Sequence, residues 1–393
     1  MISPENRNIE GVIAERGPKE IPVKRGKMDM VFFGIIMLLL TVGLIMMFSA
    51  SYAFAYYNYG NSYKFIIKQA EFAVIGVAMM IIVSYIDYHW YAKFHIPWIV
   101  YGLSIIMLVV VLILPPMQEG FDYKRWLYFG GISFQPSEIA KFSIILLFSY
   151  LISKKKEKMK TFKEGIVPFV LLLALVCGLL VKEPHLSATI LVFCIGAVLM
   201  IVGGIKMRWV LMGGGVSAFA LIIVIATGVV SYASSRITYW LDPWKAATGE
   251  GYQTIQSLYA IGSGGLLGRG LGQSRQKYLW VPEPHNDFIF AIVAEELGLI
   301  GALCILIAFG VFIWRGISIA MRAPDRFGSL LALGITFQVG LQATLNILVV
   351  TNTIPNTGIS LPFFSYGGTA LLMLLAQMGI LLSVSRSSTV RKR

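Results

Sequence analysis

The sequence predicts an all-α, polytopic membrane protein with about ten transmembrane helices, and three observations carry that expectation. Of the 393 residues, 57% are hydrophobic and 13% charged, whereas a soluble domain carries about a quarter charged residues. The mean hydropathy is +0.74, and the apolar residues gather in runs of about 20, the length a helix needs to cross a hydrocarbon core. The cations, finally, are shared unevenly among the segments between those runs.

The chain opens on a polar segment, 1–28, that contains Pro4, Pro18 and Pro22. It lacks the short apolar core and cleavage site of a secretory signal and reads as a cytoplasmic tail. Ten apolar stretches follow, at 29–51, 66–86, 97–115, 137–153, 165–181, 186–204, 209–230, 287–314, 328–350 and 364–385. Lys182-Glu183-Pro184-His185 separates the fifth from the sixth with a tight turn, as proline among polar residues favours. Residues 29–385 thus form one membrane domain, and 386–393 a short basic cytoplasmic tail. Cys177, Cys194 and Cys304 all lie in apolar runs, without metal-ligand spacing. They read as inert buried thiols rather than a disulfide framework.

Charge placement orients the bundle. With the N-terminus inside, 22 of the 33 lysines and arginines fall in cytoplasmic segments, 9 fall outside, and Lys68 and Lys141 lie within spans. The run Lys154-Lys155-Lys156-Glu157-Lys158-Met159-Lys160 is the strongest marker, because short cytoplasmic loops concentrate Lys and Arg. The formal charge of +13 therefore has a topological origin, and nucleic acid is not an expected partner. Both termini are cytoplasmic on this reading, and 116–136, 231–286 and 351–363 lie outside. The long loop 231–286, between spans seven and eight, includes a stretch at 252–261 that suits an interfacial helix.

The polar motifs all fall on that outer side. Lys124-Arg125-Trp126 is followed by Gln135-Pro136-Ser137-Glu138-Ile139-Ala140-Lys141, where Pro136 and Ser137 suit a helix start and Glu138 suits the positive end of the helix dipole. Glu138 and Lys141 share a helix face and can pair inside the bundle. The segment 262–272 is glycine-dense but lacks the Gly-Lys-Ser/Thr ending of a P-loop. Its backbone could serve as flexible connection or, with Arg269, Arg275 and Lys277, as a nest for a diphosphate. The loop Asn352–Gly368 reads as a broken entry into the last span, a backbone tolerated at membrane depth where it lines a cavity.

Most informative is Trp280–Phe290, which packs Glu283, His285 and Asp287 between two prolines and an apolar helix carrying Glu295-Glu296. Ionisable groups at such a boundary are functional-site candidates. Asp287 can cap the helix or accept a proton from a hydroxyl nucleophile. Trp280 offers a surface for stacking a sugar. His285 is a hydrogen-bonding residue or a lone metal ligand, and no two-histidine zinc pattern accompanies it.

Together these motifs resemble the SEDS family (shape, elongation, division, sporulation), the RodA, FtsW and SpoVE group of bacterial cell-wall polymerases. The resemblance runs from the first span to the tenth. It rests on Ser49-Ala50-Ser51, Arg125-Trp126, residues 135–141, the glycine segment, PEPHNDFIFAIVAEELG at 282–298 and PNTGISLPFFSYGG at 355–368. Ser49-Ala50-Ser51 is more similar to the division and sporulation branch than to the elongation branch.

The resemblance implies an inverting peptidoglycan glycosyltransferase that polymerises lipid II on the outer face of the bacterial cytoplasmic membrane, with undecaprenyl diphosphate leaving. It implies Asp287 as general base, Lys141 and Arg125 as charge stabilisers of the diphosphate, and Glu138 as the residue orienting Lys141. Trp126, Ser365, His285 and Arg269 are implied as further substrate-binding residues. Its expected partners are a class B penicillin-binding protein and other divisome or elongasome membrane proteins. The sequence requires no cofactor, although a divalent cation, Mg2+ or Mn2+, is compatible with it. One departure stands out: relatives commonly read Gln-Pro-Asp-Leu-Gly-Thr where this chain has Glu183-Pro184-His185-Leu186-Ser187-Ala188. The competing reading is a lipid II flippase, which predicts functional charges through the midplane and on both faces.

Overall fold

In the computed structural model, described for residues 26–114, 125–129, 132–209, 211–213, 215, 238–249 and 251–388, the chain is a helical bundle. The first helices are α1 (Met30–Tyr59), α2 (Lys64–Tyr85) and α3 (Ile96–Ile113). A small antiparallel hairpin follows, β1 (Leu127–Phe129) with β2 (Ile132–Phe134), in which Tyr128 pairs with Ser133. Next come α4 (Pro136–Lys155), the one-turn α5 (Phe162–Gly165), α6 (Val167–Lys182), α7 (Leu186–Val202) and α8 (Tyr252–Gly264). The chain closes with α9 (Ile289–Met321), α10 (Arg326–Val350) and α11 (Gly368–Ser388).

Among the described residues eight helices are long and apolar enough to cross a membrane, and α7 is a shorter apolar helix of 17 residues. Nine of the ten expected spans are therefore present as helices. The tenth, 209–230, and most of the tail 1–28 lie largely or wholly outside the described residues, as do 231–237 and 389–393. The protein is a multi-pass membrane protein.

Two elements depart from expectation in extent. The helix α1 runs to Tyr59 rather than residue 51, because nothing breaks it before Gly60, whose φ of 67° closes it with a left-handed cap. The helix α9 continues to Met321 but is interrupted at Gly298, which has φ 68°. A Cβ there would lie 2.2 Å from the Gly268 nitrogen, so glycine is required both for the turn and for the approach of the loop. The expected helix within the long loop forms as α8. It packs on α9 and donates from Ser257 Oγ to the Val350 carbonyl at the end of α10.

Small residues set the helix spacing elsewhere, as they do where apolar surface alone gives no drive to associate. Helix α11 runs along α2, and a Cβ on Gly379 would meet the Met80 carbonyl at 2.6 Å. At the end of the bundle remote from the polar motifs, Asp325 caps α10 through the Phe327 and Gly328 N–H groups. The Tyr88 hydroxyl also donates to it, and His89 stands 3.4 Å away. Burial opposes ionisation of Asp325, but the bonds from His89, Tyr88 and Gly328 outweigh it and hold the carboxyl below its usual range.

Candidate functional site

A cavity of about 470 Å³ opens at the end of the bundle where the polar motifs meet. Its walls come from α2, the β1–β2 hairpin, the first turns of α4 and α7, the segment before α9, one position of α10, and the 358–370 loop and helix start. Segments more than 200 residues apart in sequence thus build one site.

Asp287 lines this cavity beside Glu283 and Asn286. It does not cap α9, whose N-cap is Phe288, without a side-chain cap bond. Its backbone carbonyl accepts from Asn346 Nδ2 at 2.7 Å, and the same amide donates to the Ile359 carbonyl at 2.6 Å. A Cβ on Gly358 (φ 67°) would come within 3.2 Å of Asp287 Oδ2, so the carboxylate lies directly over that glycine. Asn346 and Gly358 together fix where the acid stands.

Glu138 and Lys141 also line the cavity and pair as the spacing predicts, with Nζ 2.8 Å from Glu138 Oε1. Lys141 is 2% exposed, and its second partner is Gln342 Oε1 at 3.1 Å. Gln342 in turn donates to the carbonyl and hydroxyl of Ser360. This chain of bonds joins α4 to α10 and to the loop that carries Gly358. Arg125 and Trp126 lie in the lining as well, with Arg125 donating to the Pro184 carbonyl.

The remaining candidates stand elsewhere. The Ser365 hydroxyl donates to the Asn286 carbonyl and accepts from the Leu361 N–H, so it ties the last loop to the acidic motif from outside the main cavity. His285 is packed among Phe54, Phe65 and Tyr366, with ring centroids 5.1, 4.5 and 5.8 Å away. Burial pushes its pKa down to about 4, and it is absent from the cavity wall. Trp280 is exposed and also outside the lining, so it offers no sugar platform there. Ser137 does not cap α4, whose N-cap position is Gln135.

The glycine segment takes neither form expected of it. A nest of N–H groups does form at its end and just beyond, over residues 272–276, but the anions it holds are the chain's own. The N–H groups of Gly272 and Ser274 donate to the Glu296 carboxylate, and those of Arg275 and Gln276 to Glu295. Arg269 lies 3.7 Å from Glu295 Oε1, which accounts for that cation away from the cavity.

Sequence reasoning missed Gln342, Asn346 and Gln69. The last bonds to the Ser365 carbonyl and the Gly367 N–H and so anchors the last loop to α2. All three are amides inside apolar helices, a signal that was available. Among the described residues no three His, Cys, Asp or Glu side chains form a group that could hold a metal ion.

The chain is similar over nearly its whole length to known proteins. It is 40% identical to Stage V sporulation protein E of Bacillus subtilis, covering 93% of this chain and 99% of that protein. It is 36% identical to a protein of Geobacter metallireducens named probable peptidoglycan glycosyltransferase FtsW, covering 91% and 94%. Among solved structures, a chain of a peptidoglycan synthase complex that coordinates polymerization and crosslinking superposes with a TM-score of 0.76 at 23% identity, covering 92% and 98%. The rod shape determining protein RodA of Thermus thermophilus superposes at 0.67 with 23% identity, covering 94% and 98%, so the fold is shared with both. Residues 29–390 match the family model for FtsW, RodA and SpoVE, described as cell cycle protein, and the chain belongs to that family.

Proposed function

We propose that the chain is a peptidoglycan glycosyltransferase that polymerises lipid II at the outer face of the bacterial cytoplasmic membrane. The observation that carries this reading is the convergence of Asp287, Lys141, Glu138 and Arg125 on one cavity. A base and two cations on the wall of one cavity are what a hydroxyl nucleophile and a departing diphosphate require. The relatives named for this activity support it, and the greater identity to the sporulation protein supports a role in sporulation or division rather than elongation.

The 4-hydroxyl of the acceptor N-acetylglucosamine attacks the anomeric carbon of the donor sugar. A C–O bond forms, the bond from that carbon to the diphosphate breaks with inversion, and its electron pair leaves on undecaprenyl diphosphate. The hydroxyl proton passes to Asp287. Lys141 and Arg125 meet the charge on the diphosphate, with Glu138 and Gln342 holding the Lys141 ammonium in place. A divalent cation, Mg2+ or Mn2+, would find Asp287 and Glu283 among the carboxylates on the cavity wall and would help neutralise the diphosphate. Both termini lie in the cytoplasm on the charge distribution given above. The transpeptidase partner is a class B penicillin-binding protein, in keeping with the structural likeness to a synthase complex.

The test is polymerisation of labelled lipid II by the purified protein with its transpeptidase partner, beside Asp287→Asn. A general base contributes about 10²–10⁴ in rate, so strand synthesis should fall by at least about a hundredfold. Undiminished synthesis by the variant would remove Asp287 from the chemistry. Lipid II transport into vesicles, with no polymer from the wild type, would favour a flippase.

A further inference from the structure

The turn between α6 and α7 faces the wrong way for a surface turn. Lys182 and Pro184 are exposed, but Glu183 and His185 between and after them are buried. His185 lines the cavity, as do Ser187 in the first turn of α7 and Ser137 in the first turn of α4. All three are more than nine-tenths buried. His185 Nδ1, Ser137 Oγ and Ser187 Oγ all lack a hydrogen-bond partner.

Such groups carry a desolvation penalty with nothing to offset it. The local remedy, a bond from a helical serine to a carbonyl one turn back, is taken by the neighbouring Ser143 to Ala140 but not by these two. All three residues line the cavity, so a group bound there is the partner nearest to hand.

The chemistry of the wall selects what would fill it. Burial, then Arg125 and Lys141, push the His185 pKa down to about 3, so the imidazole is neutral and offers one donor and one acceptor. A neutral imidazole can accept as well as donate, so it suits a group that carries an N–H, which a phosphate lacks, and the nearby cations oppose a metal ion. Ala188 and Leu191, also in the lining, share the face of α7 that continues this wall and supply an apolar patch. One substituent needs all of these at once: an amide N–H for the imidazole lone pair, a carbonyl for a hydroxyl, and a methyl for Ala188 and Leu191.

We propose that the wall formed by Ser137, His185, Ser187, Ala188 and Leu191 is a subsite for an acetamido group, the N-acetyl substituent of an amino sugar. The proposal rests on the glycosyltransferase reading for its substrate but not for its catalytic residue. It assigns to the Glu183–His185 turn a task in substrate selection.

Binding tests it without turnover. The full-length protein in detergent would be titrated with lipid II and with analogues bearing a hydroxyl in place of each acetamido group in turn. Both analogues keep the charge of the parent. A site built to bond a polar group rejects ligands that lack it, so one analogue should bind at least about tenfold more weakly to the wild type. In Ser187→Ala and His185→Leu that ratio should shrink to about threefold or less. Equal affinity of the wild type for all three ligands overturns the subsite, as does a ratio unchanged in both variants. A wild type that discriminates but makes no polymer overturns the catalytic reading and leaves the subsite standing. One that polymerises without discriminating does the reverse, and one that binds no lipid II overturns both.

Discussion

The hydroxyl of Ser49 in α1 lies 2.7 Å from the carboxylate of Glu296 in α9, 247 residues away in sequence. Lys277 closes the group, with Nζ 3.0 Å from Glu296 Oε1 and 3.2 Å from Ser49 Oγ. All three are buried. The carboxylate is thus satisfied by an ammonium, a hydroxyl and two backbone N–H groups, and the loop that leads into Asp287 is pinned to two helices. Breaking a buried pair by removing one partner costs about 3–5 kcal/mol, because the other charge remains. Lys277→Met should therefore lower the apparent melting temperature of the purified protein clearly more than Ser49→Ala. The latter forfeits one charge-assisted bond of about 1.5–3 kcal/mol. Equal shifts would show that the ammonium contributes no more to the group than the hydroxyl.

Much of the bundle was legible because a span needs only a sufficient run of apolar residues, and nine of the drawn runs are helices. The Glu138–Lys141 pair was legible for a similar reason, since spacing of three on a helix is enough to bring side chains together. The nest around Glu295 and Glu296 was not. Its donors are backbone groups of the loop upstream, and nothing local in residues 272–276 tells whether such a nest faces a ligand or folds back on the chain. The same limit hides from the sequence where Arg269 and Trp280 stand, since their cation and indole suit a substrate equally well wherever the loop turns. The surroundings of His285 are not legible in the sequence, because the rings that enclose it come from α1, α2 and the last loop.

The contact between the glycine loop and α9 should be intolerant of a single methyl. At Gly298 a Cβ would meet the Gly268 nitrogen at 2.2 Å, and at Gly268 it would meet the Glu296 carbonyl at 2.2 Å. Both neighbours are backbone and both glycines have positive φ, so no side chain can give way. Gly298→Ala and Gly268→Ala should each yield protein that melts lower and is cut faster by protease within 265–287. Gly262→Ala, where a Cβ meets nothing within 4 Å, is the control and should behave as the wild type. Wild-type stability of Gly298→Ala would mean that the loop does not make this approach.

Glu183 gives the fold a pH dependence of defined sign. Burial raises its pKa to about 8 against the opposing effect of Arg125, from an ordinary value of 4.5. Between those values the folded protein holds a proton that the unfolded chain releases, so this residue's contribution to stability falls as pH rises from about 4.5 to 8. His185 and His285 work the other way over a lower window. Burial depresses both below 6.5, to about 3 and about 4, so their contributions are lost as pH falls below 6.5. Above 6.5 the two histidines are neutral in both states and Glu183 acts without them. Melting temperature against pH should therefore decline between 6.5 and 8, and Glu183→Gln should decline less over the same interval. Parallel curves would show that Glu183 ionises normally in the folded protein.

Asp287 and Gly358 carry the most direct test of site geometry. The glycine is strained for any other residue at φ 67°, and a Cβ would sit 3.2 Å from Asp287 Oδ2, closer than an unstrained contact. Gly358→Ala leaves the carboxylate chemically intact but presses it away from its position over the loop. Displacement of a reacting group by about 1 Å can cost about a hundredfold in rate, whereas Lys141, Arg125 and the subsite wall remain to hold the substrate. Polymerisation should thus fall between about tenfold and a hundredfold, with lipid II affinity within about threefold of wild type. Asp287→Asn should lose more rate than Gly358→Ala, because it removes the base rather than moving it. The double variant should be no slower than Asp287→Asn alone, since displacing an asparagine that takes no proton has nothing left to impair. A double variant slower by a further tenfold would mean that Gly358 serves the reaction through another group than Asp287.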